Sequence, residues 1–148
     1  MKNDFDAIIS KYADIHGVPF QWIKAVIATE SSFYPKAYRA EPQINDGSYG
    51  LMQLLGRTAR NLGFTGDASQ LFEPDLNIQY GTKLLAQLQR SYGDDFRRIY
   101  SAYNSGKQDL YLTSTQVGSN VDRAMRYLES IIAEVGEIVK KKSIHPKA

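Results

Sequence analysis

The sequence predicts a mainly α, single-domain protein, on three observations. Apolar residues recur at helical spacing through most of the 148 residues. No alternating apolar–polar segment is long enough to argue for a substantial sheet. No repeat, low-complexity linker or shift in composition divides the chain, whose length suits one core-forming domain.

The first helix is expected from about Asp4 to His16, stopping at Gly17, with Pro19 placed where a second can begin. Phe20, Trp22, Ile23, Val26 and Ile27 then share one broad face at about 100° per residue. Glu30 falls inside that face, and Pro35 ends the helix by forcing its predecessor out of the α region. Residues 39 to 50, "RAEPQINDGSYG", read as an irregular loop or small hairpin turning at Asp46-Gly47. A short helix is expected over 51 to 62, stopping at Gly63. A long one follows over 74 to 91 with Leu76, Tyr80, Leu84, Leu85 and Leu88 on one side, where Gly81 permits close helix contact. Phe96, Ile99, Tyr100 and Tyr103 form the next stripe, ended by "NSG" at 104 to 106. Residues 107 to 118 read as a surface loop. Ser119 with Asp122 resembles a capping box opening the last helix, whose Val121, Met125, Leu128, Ile132, Val135 and Val139 face the core. The domain core is expected over about 18 to 140, followed by a basic tail at 141 to 148.

Composition narrows the chemistry. The chain has no cysteine, which excludes disulfides, thiolate metal sites and cysteine nucleophiles. Its two histidines, His16 and His145, stand near opposite ends without metal-ligand spacing, so no metal site is expected. No G-x-S-x-G elbow supplies a serine nucleophile. Chemistry is therefore expected to run on carboxylates, tyrosines and amides. No apolar run approaches the ~20 residues needed to span a bilayer, and the start "MKNDFDAIIS" lacks the pattern of a secretory signal. The lysines of "VKKKSIHPKA" suit a solvated helix end and, alternatively, weak attraction to an anionic polymer. With a net charge of only +2 and no DNA-binding motif, nucleic-acid binding through Arg57, Arg60, Arg97 and Arg98 is not expected.

Glu30 is the residue that asks for an explanation. A carboxylate among apolar side chains is disfavoured in its charged form, so its pKa rises and it can donate a proton near neutrality. That describes a general acid, and equally a buried glutamate satisfied by backbone donors; position alone leaves both open. Met52 reads as core filler or as a surface for a ligand ring. Tyr103 fits its helix's core stripe as well as a site, and Trp22 and Phe33 read as core aromatics beside Tyr34.

The segments "ESSFYPKA" at 30 to 37, "GLMQ" at 50 to 53 and "AYNSG" at 102 to 106, followed by an apolar helix carrying Tyr127, stand in an order that resembles soluble lytic transglycosylases, relatives of goose-type lysozymes. The resemblance spans about Trp22 to Tyr127. It implies a lysozyme-like fold and a monomeric enzyme that cleaves peptidoglycan strands between N-acetylmuramic acid and N-acetylglucosamine at the bacterial cell wall, in a cellular or phage context, without a cofactor. By the same resemblance Glu30 is the catalytic acid, then base; Met52, Gln53, Tyr103, Asn104 and Tyr127 contact the sugar or the acid; and Ser31 supports locally. The resemblance also implies a 1,6-anhydro product. Rival readings are a lysozyme-type muramidase and a non-catalytic wall-binding or assembly module. The loop between acid and "GLMQ" is longer than in many relatives. It brings Glu41 and Asp46 near the acid, either as solvated turn residues or as a second carboxylate that positions water.

Overall fold

The computed structural model of the chain describes residues 2–144. Of the expected basic tail, 145 to 148 lie outside the described residues. Six α-helices and a three-stranded sheet are present among those described: α1 (Asp6–His16), α2 (Phe20–Ser31), β1 (Tyr38–Glu41), β2 (Asp46–Tyr49), β3 (Leu54–Leu55), α3 (Gly56–Asn61), α4 (Pro74–Tyr92), α5 (Phe96–Ser105) and α6 (Thr115–Ile144).

The helical stripes build the main core. Ile9 and Tyr12 of α1, Trp22, Ile23, Val26 and Ile27 of α2, Ile78 and Leu85 of α4, Ile99 and Tyr100 of α5, and Val121 and Leu128 of α6 pack into one cluster. A smaller cluster of Leu54, Ala59, Phe64 and Leu71 joins the sheet and α3 to Tyr80 and Leu84 on the other flank of α4. Lys24, midway along α2, is buried at 3% exposure. It is tolerated there because its ammonium pairs with Asp6 at 2.8 Å and donates to Asn3 at 2.7 Å, and such a charge is almost never buried unpaired.

The segment at 39 to 50 is an antiparallel hairpin, with Tyr38 opposite Tyr49 and Glu41 opposite Asp46. Its turn is not at Asp46-Gly47. A 3₁₀ turn at Pro42–Ile44 and Asn45 in the left-handed region (φ 52°) reverse the chain, leaving Asp46 and Gly47 to begin β2. Proline and asparagine each suit such a turn, so the Asp-Gly pair was not needed there.

The helix expected over 51 to 62 begins only at Gly56. Upstream, the main chain is claimed by Asn77, a fully buried residue of α4. Its Oδ1 accepts the Met52 N–H at 2.8 Å, and its Nδ2 donates to the carbonyls of Tyr49 (2.7 Å) and Leu71 (2.8 Å). Gly50 makes this approach possible: its φ is +73°, and a Cβ would stand 2.6 Å from Asn77 Nδ2 and 2.8 Å from the Leu71 carbonyl oxygen.

The start of α6 also differs from the expected capping box. The Ser114 hydroxyl accepts the Val117 N–H at 3.2 Å and opens the helix at Thr115. Asp122 instead pairs with Arg97 at 3.3 Å. The loop before it is held by buried Ser101, which donates to the Lys107 carbonyl at 2.8 Å and accepts the Tyr111 N–H at 3.2 Å. At the other end, the α6 stripe leaves the core after Ile131; Ile132, Val135 and Val139 are exposed.

Candidate active site

Glu30 occupies the last turn of α2, whose end is marked by Ser32 at φ 52° and Phe33 at φ 66°. Its carboxylate opens into a cavity of about 130 Å3 bounded by Arg39, Glu41, Ser48, Gln53, Leu55, Tyr103 and Asn104. α2 supplies the acid, the sheet and "GLMQ" segment supply one wall, and the end of α5 supplies another.

A group that touches Glu30 directly is Tyr100, which the sequence placed only in the core. It is 1% exposed, and its hydroxyl donates to Glu30 Oε2. A buried tyrosine needs a partner for its hydroxyl, and a buried acid needs a donor; pairing those two demands is the signal that would have found it. Burial pushes the Tyr100 phenol well above its ordinary value, with the Glu30 charge and hydrogen bond adding to the rise, so it stays a donor across any working pH. Tyr103 stacks on Tyr100 with centroids 6.3 Å apart and planes 15° apart. Its hydroxyl donates to the Met52 carbonyl at 2.6 Å, tying α5 to the "GLMQ" segment. It too is pushed up, by burial first and then by Glu30.

Burial raises the Glu30 carboxyl above its ordinary value. Four groups pull the other way: the Tyr100 hydrogen bond, the charges of Arg123 and Arg39, and a hydrogen bond from the Asn104 side chain. Burial wins. The C-terminal end of α2 adds to it, because the helix dipole is negative there and disfavours a carboxylate. Asn104 is itself oriented from α6, its Oδ1 accepting Asn120 Nδ2 at 3.0 Å.

The remaining residues divide. Gln53 lines the cavity in the left-handed region (φ 49°), its amide donating to the carbonyls of Ala37 (3.1 Å) and Gly50 (3.0 Å). Met52 is fully buried, and a Cβ at Gly81 would meet its sulfur at 2.3 Å. Its side chain is therefore core filler rather than a ring surface, and Gly81 makes room for it rather than for another helix. Ser31 bonds back to the Ile27 carbonyl at 3.1 Å, within its own helix. Tyr127 is 39% exposed and neither bounds the cavity nor hydrogen-bonds to Glu30; α6 acts on the acid one turn earlier, through Arg123. Trp22 and Phe33 are buried, whereas Tyr34 is exposed.

Residues 7–126 match the family described as the transglycosylase SLT domain. The chain belongs to that family. Within it, this SLT domain is 32% identical over 111 residues to the peptidoglycan transglycosylase gp16 of Escherichia phage T7, covering 73% of this chain and 8% of that protein. It is 40% identical over 90 residues to the membrane-bound lytic murein transglycosylase F of Desulfosudis oleivorans, covering 61% of this chain and 18% of that one. The chain thus spans a small part of these relatives. Among solved structures, an inactive glutamate-to-glutamine mutant of the lytic transglycosylase Slt from Pseudomonas aeruginosa aligns with a TM-score of 0.65 at 27% identity, covering 85% of this chain and 22% of that one. The 70-kDa soluble lytic transglycosylase from Escherichia coli aligns with a TM-score of 0.73 at 20% identity over 85% of this chain and 24% of its own. That likeness bears on fold, and the fold is the mainly helical, lysozyme-like one. No helix among the described residues is long and apolar enough to cross a membrane.

Proposed function

We propose that this SLT domain is a peptidoglycan lytic transglycosylase, acting as a monomer at the bacterial cell wall. It cleaves the β-1,4 bond between N-acetylmuramic acid and N-acetylglucosamine and leaves a 1,6-anhydromuramic end. The observation that carries the reading is Glu30: a carboxyl group raised by burial, in a cavity walled by amides and phenols, within an SLT domain.

Glu30, its acid form favoured by burial, gives its proton to the glycosidic oxygen as the C1–O4 bond breaks. Positive charge then develops on the muramic ring beside the newly formed Glu30 carboxylate. The ring's own C6 hydroxyl attacks C1 and returns its proton to Glu30, which restores the enzyme without consuming water. A group that must be acid first and base second needs its two forms balanced: burial raises the Glu30 carboxyl, and Tyr100, Arg123 and Arg39 oppose that rise. Tyr100 holds the carboxylate in one orientation. Gln53, Tyr103 and Asn104 offer polar groups to the sugar, and Met52 supports them from the core. Neither a metal nor an organic cofactor is called for by this chemistry.

Mass spectrometry of peptidoglycan digested by the purified protein tests the reading. Products ending chiefly in 1,6-anhydro-N-acetylmuramic acid are expected; cleavage giving reducing ends alone would overturn it.

A further inference from the structure

The hairpin serves two sides of the molecule, because successive side chains of a strand point to opposite faces. Tyr38 and Ala40 of β1 border an open cavity of about 510 Å3 with Tyr49. Arg39 and Glu41 point the other way and join Ser48 and Leu55 around the cavity that holds Glu30. The same strand that closes this wall therefore delivers a second carboxylate to it.

The two acidic residues of the hairpin are differently employed. Asp46 is committed to the backbone: its carboxylate accepts the N–H groups of Gly47 (2.8 Å), Gly56 (3.2 Å) and Arg57 (2.9 Å), so it folds the β2 start onto the α3 start. Glu41 is only 9% exposed yet accepts no backbone hydrogen bond from the described residues. Its partner among the described residues is Arg39 Nε at 3.4 Å, on a side chain that is itself 76% exposed. An ion pair so open to solvent holds little energy and does not account for burying a carboxylate. Nearby, Ser48 is 8% exposed as a residue, and its hydroxyl has no hydrogen-bond partner among the described residues. A polar cavity of about 130 Å3 with unspent acceptors has both the room and the partners that an ordered water needs.

We propose that Glu41 is the general base of a second, hydrolytic outcome at this site, a proposal that rests on Glu30 being the acid. Glu30 protonates the glycosidic oxygen as before. A water held by Glu41 and Ser48 attacks C1, the C1–O4 bond breaks, and the water's proton passes to the Glu41 carboxylate. The muramic product then carries a C1 hydroxyl, formed with inversion, and the proton on Glu41 is later lost to solvent as Glu30 regains one. Two carboxyl groups bordering one cavity with room for water is what an inverting glycosidase needs to hydrolyse. The C6 hydroxyl is always present as an internal rival, so hydrolysis is the minor branch. The enzyme consequently makes both anhydro and reducing ends.

Peptidoglycan digested by the wild type, Glu41→Gln and Glu30→Gln, then reduced with borohydride, distinguishes the branches, because only reducing ends become muramicitol. The wild type is expected to give both products. In Glu41→Gln the ratio of muramicitol to anhydromuramic ends should fall at least about 100-fold, the lower end of what a positioned base contributes. That ratio is independent of how much of the variant is folded. Asp46→Ala, which disturbs only the scaffold, should leave the ratio as it is. A wild type that makes no muramicitol, or an unchanged ratio in Glu41→Gln, overturns the role of Glu41 alone. Undiminished total cleavage by Glu30→Gln would overturn the acid reading beneath it.

Discussion

At the scale of single residues, the site is a contest over one proton. Burial drives Glu30 towards the neutral form, while Tyr100, Arg123, Arg39 and Asn104 favour the carboxylate. Tyr100→Phe removes the largest of those opposing influences, so the Glu30 pKa should rise further. An acid catalyst works only while protonated, so the alkaline limb of the kcat/KM profile should move to higher pH. A limb that moves to lower pH would show that Tyr100 does not stabilise the carboxylate. Glu30 was legible in the sequence because an acid on an apolar helix face is conspicuous. Tyr100 was not, since it holds a core position in its stripe and uses its ring for packing and its hydroxyl for the acid. Met52 and Tyr127 show the converse: their places in motifs suggested contact with sugar or acid, whereas packing against Gly81 draws Met52 inward and the pitch of α6 leaves Tyr127 outside the cavity wall.

At the scale of elements, the hairpin and the segment after it decide the shape of the cavity. Helical periodicity located the long helices to within a few residues, because each buries a continuous stripe. It failed over 51 to 55, where Gly50 takes a left-handed conformation and Asn77 spends its amide on main-chain groups that a helix would have used. No local pattern announces such a partner from 25 residues away. It failed again at the opening of α6, where a capping box was expected at Ser119 but the Ser114 hydroxyl, five residues earlier, caps the helix instead. Asp46 is the hinge of this region. Asp46→Ala releases the N–H groups at the start of α3 and should cost about 1 kcal/mol, as loss of an N-terminal cap does. For a domain of this size that is roughly 2–4 °C in Tm. A melting temperature equal to the wild type would show that the cap contributes nothing.

For the whole molecule, catalysis and stability oppose one another at Glu30. Its folded-state pKa lies above the ordinary value of 4.5, so folded and unfolded chains are both protonated below that value and the residue carries no penalty there. As pH rises, the unfolded chain loses the proton first, and stability falls until the folded-state pKa is passed. Glu30→Gln removes this dependence. Its Tm advantage over the wild type should be smallest in acid, grow as pH rises from about the ordinary glutamate value, and then level off; an advantage that shrinks with rising pH would mean that burial does not penalise the carboxylate. A helical architecture was readable at this scale, since few other folds bury stripes of that spacing. The limit of the core was not: the α6 stripe continues past Ile131 with Ile132, Val135 and Val139 exposed, and a period does not report where its partner ends.

The central claim is that Glu30 delivers the proton that breaks the glycan strand. The most direct test is the initial rate at which folded Glu30→Gln releases soluble fragments from purified peptidoglycan, measured against the wild type under identical conditions. Glutamine keeps the shape and the contact with Tyr100 but cannot give up an acidic proton, so the rate should fall by at least about 100-fold. A folded Glu30→Gln protein that solubilises peptidoglycan within a fewfold of the wild-type rate would contradict the account.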